Sequence, residues 1–85
     1  MNPDALQRAL LAALAEETTP QSVPRLGKRL GQGASVVMRA LTLMGSSALG
    51  GQAGPGWVQV ELVDERWMAA LTEEGRRHVA QHLHA

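Results

Sequence analysis

At 85 residues the chain suffices for one domain, near the small end of what folds unaided, and its eight basic and eight acidic residues balance to a formal charge of zero. It has no cysteine, which excludes disulfides, thiolate zinc sites and thiol chemistry. Trp57 and Trp67 are its only aromatic residues, so the core must be built from Leu, Val, Met and Ala.

Asn2-Pro3-Asp4 reads as a helix start: a side-chain acceptor, a proline suited to the first helical position, and an acid at the positive end of the dipole. Leu6, Leu10, Leu11, Ala13 and Leu14 recur at helical spacing and predict one apolar face. Thr18-Thr19-Pro20-Gln21 should end this helix, because the residue before a proline is pushed out of the helical region. Ser22 is a good cap for a second helix, with Val23, Leu26 and Leu30 inward and Arg25, Lys28 and Arg29 outward. A turn at Gly31-Gln32-Gly33 leads to a third helix from Gly33 or Ala34, with Val37, Ala40, Leu41, Met44 and Leu49 as its inward positions.

Period then changes. Residues 50 to 56 are glycine-rich and read as a loop. Trp57 to Val63 alternates, which predicts a half-buried strand with Val58, Val60 and Leu62 on one face. Asp64-Glu65 would turn the chain into a returning strand from Arg66 to Leu71, and that simple turn pairs Trp67 with Leu62. Trp67 is expected in the core or at an interface, and Trp57 as a cover over the preceding loop. Thr72-Glu73-Glu74 should cap a final helix, with Val79 and Leu83 as its core contacts. No internal repeat is visible, and no stretch approaches the roughly 18 apolar residues of a membrane span. A secretory leader is not expected either, since no basic start precedes a long apolar run. The expectation is a cytoplasmic protein without membrane contact.

Charge is distributed unevenly. Between Thr18 and Val60 stand Arg25, Lys28, Arg29 and Arg39 and no acid. A neutral chain has thus placed unbalanced positive charge on its predicted helix-turn-helix (about residues 22–48), the footprint of a surface that meets phosphate. A solvated helix face is the blander explanation of any such cluster.

Three pieces of sequence resemble the winged helix-turn-helix domains of small bacterial MarR-type regulators. Leu26-Gly27-Lys28-Arg29-Leu30-Gly31 resembles the "L-A-x-x-L-G" of their positioning helix. Val37-Met38-Arg39-Ala40-Leu41-Thr42-Leu43-Met44, followed by Leu49, resembles the "V-x-R-x-L-x-x-L-x-x-x-G-L" of their recognition helix. Asp64-Glu65-Arg66 with Leu71-Thr72-Glu73-Glu74-Gly75 resembles the "D-x-R … L-T-x-E-G" that runs from the wing into the next helix. The resemblance implies a mainly α fold with a small β-hairpin: a three-helix core, a two-stranded wing over residues 57–71 and a C-terminal helix over residues 72–84, all one domain. It further implies a double-stranded DNA partner.

On that basis the third helix enters the major groove, presenting Ser35, Val36, Met38, Arg39 and Thr42, with Gln32 at the turn. Arg25, Lys28 and Arg29 would hold phosphates, and Arg66 would stand with them at the wing. Some features depart from the family. Ala48 replaces its helix-ending glycine, so the third helix is free to run toward Gly50, and the wing tip is acidic where the family is usually basic. Twenty-one residues precede the second helix and about a dozen follow the wing, so the dimer interface that MarR-type proteins build from long flanking helices is not expected to carry over. A homodimer built another way would still suit so small a core.

Other chemistry is poorly supported. Gly31-Gln32-Gly33 is no phosphate loop, since no strand precedes it and no Gly-Lys-Ser/Thr follows. His78 and His82 have ligand spacing, and His84 follows them, but solvated histidines near a helix C-terminus need no metal. No catalytic constellation stands out and no cofactor is implied. The competing expectation is a protein–protein module, favoured by neutral charge, the acidic wing and the outward Val36, Met38 and Leu43.

Overall fold

In a computed structural model, the protein is described over residues 2–46, 48–49 and 52–82. Asn2 caps α1 (Pro3–Ala15), its Oδ1 accepting from the Ala5 amide at 2.7 Å. Leu6, Leu10, Leu11, Ala13 and Leu14 are all buried, as the spacing predicts. A short strand, β1 (Gln21–Ser22), follows, and the Gln21 Nε2 donates at 2.8 Å to the Ala13 carbonyl, which also accepts from the Glu16 amide, so the strand is tied to the end of α1.

Ser22 then caps α2 (Val23–Leu30), its hydroxyl accepting from the Arg25 amide. Val23 and Leu26 are buried while Arg25, Lys28 and Arg29 are exposed. Gly31 ends α2 with φ 68°, a left-handed conformation that costs a side-chain-bearing residue roughly 1–2 kcal/mol. The chain reverses there, the Gln32 amide donating to the Gly27 carbonyl at 2.8 Å, and enters α3 (Ala34–Met44).

Val37, Ala40, Leu41 and Met44 face inward from α3. This helix stops at Met44, with Gly45 at its C-cap, and does not run toward Gly50. Instead β2 (Ala48–Leu49) pairs antiparallel with β3 (Gln52–Ala53), so the glycine-rich segment expected to be all loop contains a strand. The side chain of Leu49, and residues Leu83 and His84, lie outside the described part of the molecule.

β4 (Val58–Val63) and β5 (Arg66–Leu71) form the expected hairpin, with Leu62 opposite Trp67 and Val63 opposite Arg66. β1 adds to the other side of β5, giving the order β1-β5-β4. The wing is thus part of a three-stranded sheet, one strand more than the sequence suggests. Val58, Ala69 and Leu71 are buried against the helices, and Val60 packs partly on them. Farther out the same face outruns the helices: Leu62 is 58% exposed and Trp67 44%, so Trp67 is no core residue. Thr72 caps α4 (Glu73–His82), accepting from the Gly75 amide at 3.0 Å, and Val79 seats this helix in the core.

Asp64 (φ 49°) and Glu65 (φ 65°) both occupy the left-handed region. A two-residue hairpin turn of that kind favours Asn-Gly. Replacing Asp64-Glu65 by Asn-Gly should therefore raise stability by about 1 kcal/mol, read by urea denaturation. A loss of stability would contradict this turn geometry.

Candidate nucleic-acid interface

Two helices build the surface. α2 presents Arg25, Lys28 and Arg29 because Val23 and Leu26 take its opposite face into the core. α3 presents Ser35, Val36 and Arg39 because Val37, Ala40 and Leu41 do the same. Only the glycine turn separates the two sets. Gly33 supplies no side-chain cap, so the first amides of α3 remain open donors at the positive end of the helix.

The expected site residues are not equivalent. Arg25, Lys28 and Arg39 are exposed and form no ion pair among the described residues. Arg29 does not stand clear of acids, since it pairs with Glu16 at the C-cap of α1. A carboxylate there is unfavourable for the helix dipole, and Arg29 offsets it. This surface pair has modest strength. Met38 is half-buried and packs against the core, so it is less outward than its register suggests. Thr42 donates its hydroxyl hydrogen to the Met38 carbonyl at 2.8 Å, which leaves it an acceptor toward any ligand. Gln32 is half-buried in the turn.

Arg66, at the start of β5, lines one open groove with Arg25, Lys28 and Arg29. It stands beside α2 because β5 pairs with β1, which runs directly into that helix. Glu16 and Glu17 line the same groove, so its positive charge is partly offset. The charge count from Thr18 to Val60 missed these acids: they precede the counted stretch and return to it only through the fold. The wing tip carries Glu61, Asp64 and Glu65, all exposed, and cannot grip phosphate as a basic wing would.

Elsewhere Trp57 stacks on His78 with ring centroids 3.7 Å apart, and it packs against the core. It therefore covers one face of His78 on α4. The His78 pKa is lowered by desolvation and by the neighbouring His82. No helix among the described residues is long and apolar enough to cross a membrane.

No family model and no curated protein matches the sequence. Among solved structures, the chain is similar to a candidate DNA-binding protein from Ralstonia eutropha JMP134, at 29% identity and a TM-score of 0.68 over 95% of each chain. With its four helices and its small antiparallel sheet beside a helix-turn-helix, the chain is a winged helix.

Proposed function

We propose that this protein binds double-stranded DNA as a small bacterial transcriptional regulator of MarR-like type, with α3 in the major groove. The observation that carries the proposal is the exposed, unpaired set Arg25, Lys28 and Arg39 on the two helices of the turn. Arg25 and Lys28 hold backbone phosphates, with Arg66 beside them. Arg29 joins when phosphate displaces Glu16. Arg39 reads base edges, its fork matching the O6 and N7 of a guanine, while Ser35, Gln32 and Thr42 reach nearby bases or phosphates and Val36 offers apolar contact. Met38 supports this face from beneath. The similarity to a candidate DNA-binding protein supports the same role.

So few cations give modest affinity, and specificity comes from two copies on adjacent half-sites. Arg39→Ala tests the reader. It should reduce discrimination between preferred and random duplexes by about 1–3 kcal/mol, measured by competition binding, and leave the fold intact because Arg39 is exposed. Unchanged preference would refute the placing of α3.

A second reading, a protein-binding module, is favoured by the wing, where acids surround exposed Leu62, Val63 and Trp67. Binding of that kind depends little on salt.

A further inference from the structure

His78 and His82 lie one turn apart on α4, and their ring centroids are 4.7 Å apart with a tilt of 34°. Neither imidazole makes a hydrogen bond or an ion pair among the described residues. His82 is exposed and His78 half-exposed, so both are open to solvent ions. A bound transition metal sits about 2.1 Å from each imidazole nitrogen, hence roughly 3.2 Å from each ring centre. Two rings on one ion at square or tetrahedral angles then have centres about 4.5–5.2 Å apart, an interval that contains the observed separation. The exposed His82 ring can turn about its terminal torsion, which is broad for imidazole.

We infer that His78 and His82 form a two-histidine site for one divalent transition-metal ion of the copper, nickel or zinc class. Imidazole nitrogens suit these ions in preference to magnesium or calcium. No third His, Cys, Asp or Glu completes a cluster among the described residues, so water fills the remaining positions and the ion stays exchangeable. Trp57 reports occupancy, because its ring lies 3.7 Å from His78 and a paramagnetic Cu2+ ion held there quenches it. Trp57 is itself fixed, its amide donating to the Met44 carbonyl at 2.8 Å and its carbonyl accepting from the Thr72 amide at 3.0 Å. An ion on α4 therefore acts beside the end of α3 and the base of the wing.

The test uses the tag-free full chain carrying Trp67→Phe, an exposed position, so that Trp57 is the sole emitter. Titration with Cu2+ alone at neutral pH should quench emission and saturate at one equivalent. His82→Gln, which leaves the Trp57–His78 stack in place, should weaken binding at least tenfold. Protonation competes with the metal for imidazole, so lowering the pH to about 5 should weaken it similarly. Absence of saturable quenching overturns the site, and so does equal affinity in His82→Gln or loss of binding in His84→Gln alone. Circular dichroism confirms that each variant is folded before it is compared.

Discussion

Leu41→Ala is expected to abolish or nearly abolish the folded state at room temperature. Leu41 has no exposed surface and sits at the middle of the inward stripe of α3, where that helix meets α1, α2 and β4. Truncating such a residue removes its burial and leaves a cavity, a loss of about 2–5 kcal/mol. A domain this small has a stability of only about 5 kcal/mol, so little remains. Urea denaturation followed by circular dichroism reads the effect, and Leu41→Met, which conserves volume, should lose less than about 1.5 kcal/mol. A cost for Leu41→Ala below about 1 kcal/mol would mean that α3 is not docked as described.

Gly75→Ala should be comparably severe, and here even the sign is informative. In an unobstructed helix this substitution stabilises by about 1 kcal/mol, because alanine is the better helix former. At position 75 an added methyl would fall on the Trp57 carbonyl, with the carbonyl carbon only 2.9 Å away and the Leu71 Cδ2 at 3.1 Å. The carbonyl cannot retreat, since Trp57 is tied at both ends by hydrogen bonds to Met44 and Thr72. Relief requires α4 to lift from the sheet, at a net cost of about 3 kcal/mol. Thermal unfolding measures it, and a raised midpoint would refute the close approach of α4 to Trp57. The same contact gives a physical reason for glycine at the end of the L-T-x-E-G pattern in this chain.

Local features made most of the fold legible. Asn2, Ser22 and Thr72 cap their helices through their own side chains, and the stripes of α1 and α3 are periodic enough to name the buried residues. The Asp64-Glu65 turn fixed the hairpin register without glycine. What escaped depends on partners remote in sequence. Gln21-Ser22 becomes a strand only because Met68 and Ala69 lie beside it. Alternation placed Trp67 on the inner face correctly, but how far the helices extend beneath that face is a tertiary fact. Ala48 and Gln52 belong to a hairpin too short to show a period. In the candidate interface, the outward arginines and lysine followed from helical register, whereas the Arg29–Glu16 pair and the groove shared with Arg66 required the assembled fold.

The central claim is that the helix-turn-helix is a phosphate-facing surface, and salt tests it most directly. Fluorescence anisotropy with a labelled random duplex, at about 50 and 200 mM monovalent salt, measures how many counterions binding releases. Three phosphate contacts, from Arg25, Lys28 and Arg66, predict a fall in affinity of roughly 40-fold per domain over that range, more if Arg29 joins. Binding at low salt that collapses at high salt is the predicted result. No binding at either concentration, or affinity that salt leaves unchanged, would contradict the account and leave the acidic, apolar wing as the surface to pursue.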